Sequence, residues 1–186
     1  MDMKKKGRLL ILSGPSGCGK NTVFDELAKR DCTIGQTVSA TTRAPREGET
    51  NGVDYYFIAK EDFLEKIENG EFVEYVHYAD RYYGTLRSEI DRVLEKYSKV
   101  VLVIEVQGAA NIKKIYPQAV SVFLMPPSAE ALVHRIAGRG IMDAEELQRR
   151  METAVEEMAK SAEYDYVVVN DVLEKCVDDV YNILNK

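Results

Sequence analysis

Directly after the apolar run Leu9–Leu12 stands Gly14-Pro15-Ser16-Gly17-Cys18-Gly19-Lys20-Asn21-Thr22, and this spacing suits one task, the holding of phosphate. The glycines let successive backbone N–H groups turn inward around an anion, and the helix expected to follow adds the positive end of its dipole. The pattern G-x-x-x-x-G-K between a strand and a helix is a P-loop. It makes residues 14–22 the expected contacts of a nucleoside triphosphate, with Lys20 delivering a point charge to the β- and γ-phosphates.

A second set of residues suits an anion as well. Ser39-Ala40-Thr41-Thr42-Arg43-Ala44-Pro45-Arg46 runs on to Glu49-Thr50-Asn51-Gly52-Val53-Asp54-Tyr55. Arg43 and Arg46 stand three residues apart in this Pro- and Gly-containing loop. They form a ready clamp for a dianion, because each guanidinium can grip two oxygens at once. Tyr55 adds a neutral donor. His77 and His134 are the only histidines, and Cys18, Cys32 and Cys176 form no CxxC pair. A zinc site is therefore not expected, and the thiols read as reduced and cytosolic.

The elements that must carry these residues follow from the hydrophobic pattern. Leu9–Leu12, Val100–Val106, Ala119–Met125 and Tyr166–Val169 are apolar and largely β-branched, as strands buried on both faces read. Helical periodicity marks Thr22–Arg30, Gly108–Ile115, Ser128–Ala137, Asp143–Glu163 and Val172–Leu184. The alternation predicts an α/β fold, a parallel sheet covered by helices on both faces. The middle departs from this rhythm. Gln36–Asp54 is polar, and strands over Tyr55–Ile58 and Phe72–Tyr78 flank a helix over Lys60–Asn69. A small α+β insertion over about 37–88 is expected. It leaves a core of 1–36, 89–137 and 145–186 within one domain, with the polar stretch 138–144 as a mobile lid.

Bulk properties narrow the function classes. The 186 residues are 45% hydrophobic and 30% charged, an ordinary globular composition. A formal net charge of −6 argues against broad adhesion to nucleic acid or anionic membrane. The lysines of Met1-Asp2-Met3-Lys4-Lys5-Lys6 precede an apolar run too short for a signal peptide, and no stretch approaches the roughly 18–20 apolar residues of a membrane span. A cytoplasmic protein is expected.

Several motifs together resemble guanylate kinases. These are the P-loop GPSGCGK, the run S-x-T-T-R-x-P-R-x-G-E-x-N-G-x-D-Y, the segment EFVEY, the run Tyr82-Tyr83-Gly84-Thr85, and Val106-Gln107-Gly108. The resemblance covers nearly the whole chain, in order. It implies a P-loop NTPase core with a GMP-binding insertion, and transfer of the γ-phosphate of ATP to GMP or dGMP with Mg2+ accompanying the ATP. The implied partners are ATP and GMP or dGMP, with neither nucleic acid nor membrane, and monomer and dimer stay equally open. Arg43, Arg46, Tyr55 and Tyr83 are implied to hold the GMP phosphate, while Ser39, Glu74 and Thr85 read guanine. That reading has a chemical basis. Guanine offers N1–H and N2–H side by side, one carboxylate accepts both, and adenine would leave that carboxylate unpaired.

The resemblance also extends to His134-Arg135-Ile136-Ala137-Gly138-Arg139-Gly140, like the family's R-x-x-G-R-G lid. Arg135, Arg139 and Arg150 are implied to close on the transferring phosphate, and Asn170 to lie near adenine. Lys20, Arg46, Arg139 and Arg150 are the expected catalytic charges. The G-K-x-T form of the P-loop, found among nucleoside monophosphate kinases, points to Thr22 rather than Asn21 as the magnesium ligand. One position departs from the family: the first of two acids usual on the strand before Gln107 is Val103 here. The second, Glu105, either touches guanine or organises water around magnesium. A rival reading is a catalytically dead protein-recognition module of similar fold, in which the P-loop lysine or the clamp is typically damaged. Here Lys20, Arg43, Arg46, Arg139 and Arg150 are all present.

Overall fold

Leu9 and Ile11 face one way and Leu10 and Leu12 the other, and all four are buried, because their strand lies in the middle of a parallel sheet. The computed structural model describes residues 7–78, 80–138 and 144–186. Among them β1 (Arg8–Ser13), β2 (Ile34–Gln36), β7 (Lys99–Val103), β8 (Val120–Met125) and β9 (Tyr166–Val169) form one sheet in the order β2-β7-β1-β8-β9. Every pairing in it is parallel. Leu10, Leu12, Val101, Val122 and Leu124 pack beneath α1 (Lys20–Arg30) and α7 (Leu173–Leu184), through Val23, Leu27, Val177 and Val180. Leu9, Ile11, Val100 and Leu102 pack on the opposite face against α3 (Arg87–Lys96) and α4 (Val106–Ile115), through Ile90, Val93, Ala109 and Ile112. Burial on both faces is what near-continuous apolar strands require.

A second sheet, mixed in direction, lies in the middle of the sequence. Its order is β4 (Tyr56–Phe57), β3 (Ala40–Thr41), β6 (Arg81–Leu86), β5 (Phe72–Tyr78). Helix α2 (Lys60–Glu68) covers it with Phe63, which stacks on Phe72 at 4.2 Å between ring centroids. Glu89, buried on α3, joins the two sheets. It accepts from the Val38 amide at 2.8 Å and from the Tyr56 hydroxyl at 3.1 Å.

Several expected boundaries need correction. The strand expected over Val100–Val106 ends at Val103, because the chain turns at Glu105, whose carbonyl accepts the amides of Gly108 and Ala109 and starts α4 two residues before Gly108. Helix α1 begins at Lys20 rather than Thr22. The long helix expected over 143–163 is α6 (Ala144–Ala159) followed by a 3-10 turn over Lys160–Glu163. Helix α5 (Ala129–Ala137) is capped by the Ser128 hydroxyl, which accepts from the Ala131 amide at 3.1 Å. Strands β2, β3 and β6 and helix α3 are additions to the elements expected from sequence. Of the expected lid only Gly138 and Ala144 are described, and Arg139 lies outside the described residues.

Candidate active site

The first strand delivers the phosphate loop to the carboxyl end of the sheet, the end where ligands of such folds bind. Gly19 closes the loop with φ 96°, a left-handed conformation that favours glycine. A Cβ there would also lie 2.6 Å from the Asn170 amide nitrogen. Lys20 folds back over the loop it ends, donating to the carbonyls of Gly14 at 2.6 Å and Pro15 at 3.3 Å, and stands 3.7 Å from the Glu105 carboxylate. Asn170, buried at the end of β9, donates to the Cys18 carbonyl at 2.8 Å. Arg135 on α5 donates to the Asn170 carbonyl at 3.0 Å and reaches the Cys18 carbonyl at 3.5 Å. In this structure Arg135 and Asn170 therefore brace the loop from below. Asn21 and Thr22 both stand exposed in the first turn of α1. Burial pushes the thiol of Cys18 upward, so it behaves as a small apolar filler.

Glu74 lies on β5 directly across from Thr85 on β6. It is 6% exposed and accepts the Thr85 hydroxyl at 2.8 Å. Burial pushes its carboxyl up to about 7; the hydrogen bonds from Thr85 pull the other way and the nearby charge of Glu105 adds to the rise. Helix α4 passes so close that a Cβ on Gly108 would sit 2.4 Å from Glu74 Oε2. The glycine is what lets the helix and the carboxylate share this space. Ser39 is half-buried at the entry to β3.

Arg43 is buried and flanked by aromatic rings, with Tyr55 and Phe57 centroids 5.3 and 5.6 Å from its guanidinium carbon. Tyr55 in turn meets Tyr83 edge-on at 6.2 Å. Arg43 is also already paired, donating to both oxygens of Glu49 at 2.8 and 2.7 Å. Glu49 is held at about 2, chiefly by those hydrogen bonds and against the effect of burial.

A cavity of about 530 Å3 opens between the second sheet and α6, with Arg46, Arg81 and Tyr83 on one wall and Arg149, Arg150, Thr153 and Glu156 on the other. Arg150 donates to Glu146 at 2.7 Å and Arg149 donates to it at 3.2 Å. The acidic side chain holds two cations that like-charge repulsion would otherwise spread. Arg149, which sequence pattern alone reads as a solvated helix arginine, lines the same cavity as Arg150.

The structure thus gathers Lys20 and Glu105 at the phosphate loop, Glu74 and Thr85 in one buried pair, and Arg43, Tyr55 and Tyr83 in one aromatic-walled site. Sequence reasoning missed three participants. Glu49 and Arg43 are six residues apart in a loop, where no periodicity signals a pair. Gly108 shows its role only through a contact with a distant strand. Glu157, on α6, is pushed up to about 7 by burial first and by Glu105 next, while Lys20, Lys160 and the Ser16 amide pull it down. On sequence alone it is one glutamate among many in a charged helix.

A family model described as guanylate kinase matches residues 6–186 of the chain. A curated relative from Clostridioides difficile (strain 630), named guanylate kinase, is 46% identical over 97% of this chain and 88% of its own length. Another of that name, from Halalkalibacterium halodurans, is 45% identical over 97% of this chain and 89% of its own. Among solved structures, guanylate kinase from Anaplasma phagocytophilum is similar with a TM-score of 0.79 and 35% identity, covering 97% of this chain and 86% of that one. Shikimate kinase from Bacteroides thetaiotaomicron shares the fold alone, with a TM-score of 0.58 at 18% identity.

Proposed function

The chain belongs to the guanylate kinase family, and we propose how its own residues divide the work of moving the γ-phosphate of ATP onto GMP, giving ADP and GDP. The observation that carries this reading is the buried Glu74–Thr85 pair; the charge of Glu105, which stands 3.7 Å from Lys20 of the phosphate loop, acts both on Glu74 and on the Tyr55 that lines Arg43. A buried carboxylate beside a hydroxyl suits the donor edge of guanine, and a guanidinium lined by two neighbouring aromatic rings suits its phosphate.

ATP lies with its phosphates on residues 14–22. Lys20 exchanges its loop carbonyls for phosphate oxygens, and Asn170 and Arg135 keep the loop shaped for them. Ser39, Glu74 and Thr85 take the guanine, and Arg43, Arg46, Tyr55 and Tyr83 take its phosphate. The acceptor oxygen attacks directly, so no side chain serves as nucleophile. Lys20, Arg46 and Arg150 supply positive charge where it builds up, which is most of what phosphoryl transfer asks of a protein. Arg139 is expected to join them. Glu105, 3.7 Å from Lys20, shapes the field between the two nucleotides and is counted with the acceptor site.

Oxygen donors at the loop fit a hard cation. The Thr22 hydroxyl and the Asn21 amide stand at the helix start, and no group of three acidic or thiol/imidazole side chains among the described residues could hold a metal by itself. Magnesium would therefore arrive with ATP, be completed by phosphate oxygens and contact Thr22. When bound it supplies charge neutralisation on the β- and γ-phosphates. We place the enzyme in the cytoplasm and expect dGMP to be accepted as well. Among the described residues no helix is long and apolar enough to cross a membrane.

The test is ADP release from ATP with GMP, dGMP, AMP, UMP and CMP offered in turn. GMP should be used far better than AMP, UMP and CMP. A Lys20→Ala variant should melt like the parent while losing turnover. Equal use of AMP and GMP, or an active Lys20→Ala variant, would overturn the assignment of these residues.

A further inference from the structure

Three of the five N–H donors of Arg43 are already spent on its own loop. Nη1 donates to the Ala44 carbonyl at 2.8 Å and to Glu49 Oε2 at 2.8 Å, and Nη2 donates to Glu49 Oε1 at 2.7 Å. What remains is the Nε–H and the second N–H of Nη2. These two lie along one edge of the planar group, a fork spaced for two oxygens of a single phosphate. Glu49 also accepts the Arg46 amide at 2.7 Å, so one carboxylate ties both arginines of the loop together. The guanidinium can turn little, being 5% exposed in its side chain and walled by Tyr55 and Phe57.

We propose that Glu49 is a positioning residue of the acceptor site: it occupies the end of the Arg43 fork and the Arg46 amide, so that the side edge of Arg43 is left facing the acceptor phosphate. This rests on the reading of Arg43 as the GMP-phosphate clamp. A different role for the same contacts would be a stand-in, with Glu49 filling the clamp until the substrate phosphate displaces it. The donor count favours the first role. Displacing Glu49 would uncover a carboxylate that also holds a backbone amide, and would leave it ionised beside an incoming dianion. Leaving it in place still offers the phosphate a two-pronged edge. The two roles predict opposite signs for the same substitution.

The full chain is assayed as wild type, Glu49→Gln, Glu49→Asp, Arg43→Ala and the Arg43→Ala/Glu49→Gln double variant. KM for GMP is measured at saturating ATP and KM for ATP at saturating GMP, with a melting curve for each protein. A glutamine turns an N–H toward an N–H, and an aspartate, one methylene shorter, does not carry its carboxylate as far as the two nitrogens. Both single changes should raise KM for GMP by about tenfold or more, the scale of a lost charge-assisted hydrogen bond. KM for ATP should stay near the wild-type value and kcat should fall less than KM rises. In the Arg43→Ala background, Glu49→Gln should add almost nothing, because Glu49 acts through Arg43. An unchanged or lowered KM for GMP overturns the proposal, and so does a full additional loss in the double variant. Equal losses toward both substrates with a lowered melting temperature would do the same, and if Glu49→Gln fails to fold the aspartate variant decides. A wild-type chain without GMP-dependent ADP release would instead sink the assignment of function, a separate result.

Discussion

A carboxylate as buried as Glu74 is costly to ionise, and that cost gives the guanine-reading role proposed for it a pH signature. Its carboxyl sits at about 7 where an ordinary glutamate sits near 4.5. Below about 7 the ligand-free enzyme holds Glu74 protonated, and a neutral carboxyl cannot accept from both N1–H and N2–H of guanine. KM for GMP should therefore fall as pH rises through about 7 and level off above it. The second ionisation of a phosphate monoester also titrates, near pH 6, and the Glu74→Gln profile supplies that background. The variant should show a raised KM above about 7, approach the wild-type value below it and lose the step near 7. A step that persists in Glu74→Gln would assign the titration to another group. The same proton bears on stability with a definite sign. Between about 4.5 and about 7 the folded chain holds a proton that the unfolded chain releases, so the contribution of Glu74 to stability declines as pH rises through that window. Glu49 runs the other way, losing its contribution only as pH falls toward about 2.

At the scale of elements, the starts of two helices stand where the proposed assignment puts the nucleotides. Helix α4 begins beside Glu74, and Gly108→Ala would place a methyl 2.4 Å from Oε2. The carboxylate is the movable partner, so the fold should survive while KM for GMP rises several-fold and KM for ATP stays put. An unaltered KM for GMP would mean that the helix shifts instead. At the start of α1, both Asn21 and Thr22 present oxygens. Thr22→Val keeps the β-branch and removes the hydroxyl, so it should raise the magnesium concentration needed for half-maximal rate. Asn21→Ser should leave it near the wild-type value. The reverse pattern would make Asn21 the ligand. These starts also mark what sequence could show. The β1–loop–α1 unit was legible because its signals are local: an apolar run, glycines at fixed spacing, then helical periodicity. Strands β2 and β3 are three and two residues long and exist through their partners, which no local pattern records. Helix α3 follows β6 with no Gly or Pro between them, and offers only Ile90, Val93 and Leu94 among charged and polar residues. The Arg43–Glu49 pair and the Gly108–Glu74 approach depend on how loops and layers meet. The residue types of the proposed acceptor site stand in the sequence itself, but their mutual orientation does not.

At the scale of the whole molecule, the charges facing each other across the cleft set the condition for closing it. Arg46 and Arg81 stand on the wall of the second sheet and Arg149 and Arg150 on α6, with about 530 Å3 between them. Glu146, Glu152 and Glu156 share the α6 wall with those arginines, so without nucleotide four guanidiniums meet three carboxylates and no large excess of one sign draws the walls together. Bound phosphates change that balance, because they are anions that guanidiniums of both walls can share. GMP alone adds a dianion to one wall, while GMP with a non-hydrolysable ATP analogue places anions against both. The chain should therefore compact in solution scattering when both nucleotides are present and much less with GMP alone. Amide exchange should slow along residues 42–55 and in the first turns of α6 under the same condition. Arg150→Ala removes one of the lining charges together with the contact proposed for it with the transferring phosphate. It should reduce the compaction seen with both ligands while leaving the melting temperature within a few degrees of wild type, because the residue is half-exposed and its partner Glu146 keeps Arg149. Compaction of equal size with GMP alone would show that closure answers to the acceptor rather than to the joint charge of the two nucleotides. The electrostatic account of the cleft would then fail.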